Sequence, residues 1–237
     1  MGTVLVTGAS RGIGLELARQ YAADGWQVLS AARAPEKSMG LRDLSRAFGA
    51  SVSLETLDVT SALSIEDLAE RLRGRAIDLL INNAAVYPRT GTHVGQLDYD
   101  VWADTFETNL FGAMRLTESL LENVATSERK QIVAISSGMG SLSAVAGGAA
   151  AESGTSYQYR TSKTALNMAM LILSKELAPR GISVAILSPG WVQTDMGGAG
   201  AAITPEVSVA GIKKILGSRP MDISGKFLSY DGSVWAW

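Results

Sequence analysis

Cysteine is absent from the 237 residues, so neither a disulfide framework nor thiolate chemistry is available. Histidine occurs once, as His93 beside Thr92 and Gly95. A lone histidine without cysteine partners reads as a surface residue, so neither a catalytic metal nor histidine acid–base chemistry is expected. Charged residues make up 19% with a net charge of −2, and no basic arm or cluster stands out. A surface that tracks a phosphate backbone is therefore not expected, nor is nucleic acid as a partner. No apolar run is long enough to span a bilayer. A strand-like run, Thr3-Val4-Leu5-Val6, begins almost at the first residue and leaves no room for a signal peptide. The expectation is a cytoplasmic protein without membrane partners.

Apolar material is plentiful, at 46% of the chain, which suffices for a packed core. Short β-branched or aliphatic runs at 4–7, 27–31, 52–57, 78–82, 131–136, 183–187 and 226–229 read as strands. Helical patterns lie between them at 13–24, 41–48, 65–73, 99–125, 159–178 and 205–216. Ser64 with Asp67 suits a capping box, and Thr204-Pro205 suits an N-cap followed by a first-turn proline. Near-continuous apolar strands, each followed by a helix, predict an α/β fold: a doubly wound, Rossmann-like parallel sheet of about seven strands, covered on both faces. No composition break or repeat divides the chain, so one domain over 1–237 is expected, with ligands at the carboxyl ends of the strands.

The first strand runs into Thr7-Gly8-Ala9-Ser10-Arg11-Gly12-Ile13-Gly14 and then a helix. Glycines here allow a tight turn and a close approach of backbone to a pyrophosphate at the helix N-terminus. The spacing departs from G-x-G-x-x-G and resembles the fingerprint of the short-chain dehydrogenase/reductase superfamily. Asp58-Val59 follows the third strand, where the family's aspartate contacts adenine. Asn82-Asn83-Ala84-Ala85 matches the family's N-N-A-G, with Ala85 in place of glycine. Pro189-Gly190 follows the sixth strand, and Val192 and Thr194 stand where the family binds the nicotinamide end. The resemblance covers essentially the whole chain and implies a nicotinamide cofactor held by these residues, including Gly8, Ser10, Gly12, Ile13, Gly14, Asn83 and Ala84.

A Rossmann site for NAD places an acid after the second strand to hold the ribose diol. Ala32 occupies that place, followed by Arg33, while Arg11 lies in the glycine turn. A guanidinium pairs with a 2′-phosphate, which only NADP(H) carries, so NADPH is the expected cofactor.

Tyr159-Arg160-Thr161-Ser162-Lys163 opens a long helical pattern, and spacing of four puts Tyr159 and Lys163 on one face. Tyrosine titrates near 10 and needs a nearby cation to act as a base at neutral pH, which Lys163 can supply. The alternative is a plain stabilising helix pair. Tyr157 has only Thr161 at the matching position, so Tyr159 is preferred. The resemblance adds a catalytic serine, aligned with Ser137 and with Ser136 as fallback, and a catalytic asparagine, Asn109. It implies that Tyr159 protonates a carbonyl oxygen, Ser137 hydrogen-bonds that oxygen, Lys163 lowers the tyrosine pKa and contacts the nicotinamide ribose, and Asn109 holds a water for Lys163.

Ser137 and Tyr159 stand 22 positions apart, with the stretch 144–155 rich in glycine and alanine. Together with Trp191-Val192-Gln193-Thr194-Asp195-Met196 and the ending Val234-Trp235-Ala236-Trp237, this resembles the C-factor and sniffer branch of carbonyl reductases. A small-molecule aldehyde or ketone with a hydrophobic body is the implied substrate. Residues 195–217 form a candidate lid over it, and Met139, Trp191, Val192 and Met196 are the expected apolar lining once that lid closes. The branch also leaves open a nucleotide-binding signalling protein without required turnover. A homodimer through the helices bearing Asn109 and Tyr159 is the expected assembly, with 144–155 beside that face.

Overall fold

The computed structural model describes residues 2–148, 156–218 and 220–237. Residues 149–155, most of the glycine- and alanine-rich stretch singled out above, lie outside the described residues.

Seven parallel strands form one sheet in the order β3-β2-β1-β4-β5-β6-β7. They are β1 (Thr3–Thr7), β2 (Gln27–Ala32), β3 (Val52–Thr56), β4 (Leu79–Asn82), β5 (Gln131–Ile135), β6 (Ser183–Ser188) and β7 (Phe227–Ser229). Alternation of side chains splits each central strand between two cores. Val4, Val6, Leu79, Ile81, Val133 and Ile135 face one side, under α1 (Gly12–Ala23), α2 (Met39–Phe48) and a helix at Pro205–Leu216. Leu5, Leu80, Ile132, Ala134, Val184 and Ile186 face the other, under α3 (Ala62–Arg71) and the long helix at Tyr157–Glu176. Burial on both faces explains why these strands read as unbroken apolar runs. The order reverses between β1 and β4, which opens a crevice at their carboxyl ends.

Three helical expectations are corrected. The third helix starts at Ala62, not 65, with Ser61 as the N-cap whose side chain accepts from the Ser64 N–H. Ser64 caps nothing; its Oγ accepts from the Asp58 N–H at 2.9 Å and closes the β3 turn. The second helix starts at Met39 because Ser38 caps it, accepting from the Leu41 N–H at 3.3 Å. The pattern over 99–125 is not one helix. It divides into α4 (Tyr99–Phe106), a π-helical turn Glu107–Phe111, α5 (Gly112–Ser119) and α6 (Leu121–Ala125). Among the described residues, the remaining α-helices are α7 (Leu142–Ala146), α8 (Tyr157–Glu176) and α9 (Pro205–Leu216). Thr204 and Pro205 do begin α9 as N-cap and first residue. Among the described residues, no helix is long and apolar enough to cross a membrane.

Candidate active site

The crevice at the carboxyl edge of the sheet is a continuous cavity of about 870 Å³. One end is walled by Ala32, Arg33, Asp58 and Val59, and the other by Tyr159, Lys163 and Pro189. The glycine turn, from Gly8 through Ser10, Arg11, Gly12 and Ile13 to Gly14, lines the middle. Asn83, Ala84 and Ala85 lie opposite. An elongated ligand fits such a shape.

Local chemistry sets this floor. Gly12 has φ of 56°, a conformation that side chains resist. A Cβ on Gly14 would stand 2.3 Å from the Gly8 carbonyl oxygen, so only glycine lets α1 begin so close to β1. The first turn of α1 contains no acidic residue, and Arg11 at the N-cap makes no side-chain cap. Its positive end therefore faces the cavity and suits an anion. Thr7 Oγ1 accepts from the backbone N–H groups of Asn83 and Ala84, at 2.9 and 3.0 Å. The Asn83 amide donates to the Thr7 carbonyl at 2.8 Å, so Asn83 stitches β4 to β1.

At the Arg33 end, a smaller cavity of about 460 Å³ is lined by Ser10, Arg33, Lys37 and Ser38. Arg33 and Lys37 are both exposed there, which is what a bound phosphate requires. Lys37 escaped the sequence reading because it lies in a short 3-10 turn, Pro35–Lys37, that folds it back beside Arg33. Arg11, by contrast, turns away from this end. Its guanidinium pairs with Asp195 at 3.1 Å across the crevice, with both side chains largely exposed. Asp58 accepts from the Thr60 N–H and hydroxyl at 3.0 and 2.8 Å. Those bonds, more than the charge of Arg33, hold its carboxyl below the usual range.

At the opposite end, α8 carries Tyr159 and Lys163 beside the turn after β5. A Cβ on Gly140 would meet the Lys163 backbone at 2.9 Å, so that glycine lets the helix press against the turn. The two candidate serines separate cleanly. Ser136 is buried and donates to Asn167 at 2.5 Å. Ser137 instead faces the Tyr159 phenol, whose pKa it pulls down, and its Oγ accepts from the Met139 N–H at 3.1 Å.

Tyr159 is 7% exposed and Lys163 only 2%. Burial pushes the Tyr159 pKa up to about 12, against the pull of the Ser137 hydrogen bond, and Tyr87 adds to the rise. Burial pushes Lys163 down to about 8. Its Nζ donates to the Ile135 carbonyl at 2.9 Å and stands 5.7 Å from the centre of the Tyr159 ring. Desolvation of the phenolate is the largest influence on Tyr159, so the net shift is upward. Burial therefore favours the protonated phenol over the phenolate.

Asn109 sits in the π-helical turn, whose extra residue turns its side chain toward α8. Its Oδ1 accepts from the Val86 N–H at 2.8 Å, and its Nδ2 donates to the Val86 carbonyl and to Ser162 Oγ, both at 3.0 Å. Ser162 in turn donates to the Tyr159 carbonyl at 2.8 Å. The Asn109 side chain thereby seats the first turn of α8.

Of the segment after β6, Pro189, Thr194 and Met196 line the cavity. Gly190, with φ of 80°, turns the chain beneath Ile203 and Tyr230. Val192 is buried and bridges to Ile203, while the Trp191 ring is 60% exposed with its N–H on the Gly197 carbonyl. Of the four residues expected to line a closed pocket, Met196 lines the cavity in this structure. Arg89, from the loop after β4, donates to the carbonyls of Asp195 and Met196 at 2.8 and 3.3 Å. The sequence reading also passed over Tyr87, whose ring lies 4.7 Å from that of Tyr159. Its only sequence signal is its place two residues beyond Ala85.

The profile described as short chain dehydrogenase matches residues 2–202. The C-signal of Myxococcus xanthus is 38% identical over 161 residues, which cover 68% of this chain and 93% of that protein. An NADPH-bound carbonyl reductase from chicken fatty liver superposes with a TM-score of 0.89 at 31% identity, over 99% of this chain and 98% of the other. The carbonyl reductase Sniffer of D. melanogaster gives a TM-score of 0.90 at 28% identity, over the full length of both. Sequence, sheet order and the tyrosine–lysine pair agree: the chain belongs to the short chain dehydrogenase family.

Proposed function

We propose that the chain is an NADPH-dependent oxidoreductase that reduces an aldehyde or ketone to an alcohol, with Tyr159 as general acid. The observation that carries this reading is the buried Tyr159 with Lys163 Nζ 5.7 Å from its ring, at the far end of a crevice from Arg33. The likeness to an NADPH-bound carbonyl reductase supports the cofactor. The uncapped α1 terminus and the glycine turn hold the pyrophosphate, and Arg33 with Lys37 holds the 2′-phosphate. Asp58 and Val59 flank the adenine, beside Asn83, Ala84 and Ala85. Pro189, Gly190, Val192 and Thr194 frame the nicotinamide end. NADPH bound there supplies the hydride.

The chain's own residues handle the proton. Ser137 donates to the substrate oxygen and stabilises the charge that grows on it. Tyr159 gives its proton to that oxygen. Lys163, still largely charged below pH 8, favours the phenolate that is left and anchors the ribose. Asn109 acts as a positioning residue through Ser162. Within 195–217, only the part before α9 can act as a lid, since Val209 and Ile212 are fully buried in the core. Arg11 and Arg89 tether that part across the crevice. Exposed Phe111, Met168 and Ile172 suit a homodimer through the π-helical turn and α8.

NADPH oxidation against a panel of aldehydes, ketones and quinones tests the assignment. Turnover with any of them supports it. Tight NADPH binding without turnover favours the second reading, a nucleotide-binding signalling protein, for which the likeness to the C-signal of Myxococcus xanthus is the supporting observation.

A further inference from the structure

Two tyrosines, not one, stand at the reactive end of the crevice. Tyr87 lines the cavity directly after the Asn83-Ala84-Ala85 wall, and its ring meets that of Tyr159 at 4.7 Å between centres and an angle of 59°. The two rings thus make a corner, with the acid on one wall and an aromatic face or edge on the other. Tyr87 is held near this position by its own chain neighbours: Val86 is clasped at both its N–H and its carbonyl by Asn109. The loop beyond is tied at Arg89 to the Asp195 and Met196 carbonyls. Tyr87 is half-buried, so part of its ring is free to meet a ligand. At the same end of the crevice Ile135, Pro189 and Met196 supply aliphatic lining, and Tyr87 and Tyr159 supply the aromatic part.

We infer that Tyr87 is a specificity-determining residue that selects carbonyl substrates with a flat, conjugated body directly attached to the reacting carbon. A carbonyl oxygen placed on Tyr159 and Ser137 brings the adjoining group into the ring corner. A planar π system packs there against Tyr87 edge to face, whereas a puckered saturated ring of the same size meets the tilted ring poorly. One aromatic pair of this kind changes a rate ratio by about three- to tenfold. The phenolic hydroxyl is not needed for this selection; the ring is.

The inference rests on the carbonyl reductase reading, and the test separates the two. kcat/KM is measured with NADPH for benzaldehyde and for cyclohexanecarboxaldehyde, with the native chain and the Tyr87→Phe and Tyr87→Leu variants. The aromatic-to-saturated ratio should favour benzaldehyde in the native chain, persist in Tyr87→Phe, and fall about three- to tenfold in Tyr87→Leu. Unchanged NADPH affinity and melting temperature establish that the variants fold. A ratio that is the same in all three proteins overturns the role of Tyr87 while leaving carbonyl reduction intact. Absence of turnover for both aldehydes and for the wider carbonyl panel overturns the reading itself, and the inference with it.

Discussion

Replacing Lys163 by Met should make the protein more stable while removing its activity. The lysine is 2% exposed, and burial lowers its pKa from 10.5 to about 8. At 1.36 kcal/mol per pH unit, keeping that charge buried at pH 7 costs about 3 kcal/mol of folding free energy. Below pH 8 the folded and unfolded chains both carry the proton, and the whole cost is present. Between pH 8 and 10.5 the unfolded chain holds the proton and the folded chain has lost it, so native stability rises with pH through that window. Methionine fills similar space without charge, but leaves the Ile135 carbonyl without the donor it has at 2.9 Å. That loss costs about 1 kcal/mol. The net gain of about 2 kcal/mol raises the melting temperature of a chain this size by about 4–8 °C at pH 7. Calorimetric melts of the ligand-free proteins at pH 7.0 and at about pH 9.5 read the effect. Tyr159 is common to both proteins, so its own titration cancels in the difference. A Lys163→Met variant that melts lower than the native chain at pH 7, or an advantage that does not shrink at the higher pH, refutes the reasoning.

Arg33→Asp should weaken NADPH far more than NADH, because it removes a guanidinium from the 2′-phosphate end and supplies an acid for a ribose diol; equal losses in steady-state kinetics would remove the assignment. Gly14→Ala places a Cβ 2.3 Å from the Gly8 carbonyl. It should cost about 1–3 kcal/mol of stability and loosen NADPH binding, as read by melting with and without the nucleotide.

Much of this site was legible because its parts are local. The glycine turn, the Asn83-Ala84-Ala85 wall and the tyrosine–lysine pair each lie within a few residues at a junction of strand and helix, where backbone sterics restrict the choice. Buried strands announced themselves as apolar runs, and their number and parallel direction followed, whereas the strand order came only with the fold. What escaped was set by contacts between distant segments. Ser61 and Ser64 have the same chemistry, and only the meeting of Ser64 with the Asp58 backbone decides which one caps α3. The π-helical turn at Glu107–Phe111 breaks a pattern that is helical throughout, and Asn109 finds its partners 23 and 53 positions away. Arg11 looked free for a phosphate until Asp195, 184 positions on, was brought across the crevice. Tyr87 carries no motif at all, and only the fold puts it against Tyr159. The upward shift of Tyr159 was also out of reach of spacing, since it depends on how much water the fold removes.

The central claim is that Tyr159 donates the proton in carbonyl reduction, and Tyr159→Phe addresses it most directly. The variant keeps the ring packed beside Tyr87 and removes only the hydroxyl. Single-turnover NADPH oxidation should fall by about two to four orders of magnitude, the range of a lost general acid, with NADPH affinity nearly unchanged. Oxidation at close to the native rate, with the same carbonyl substrate, would contradict it.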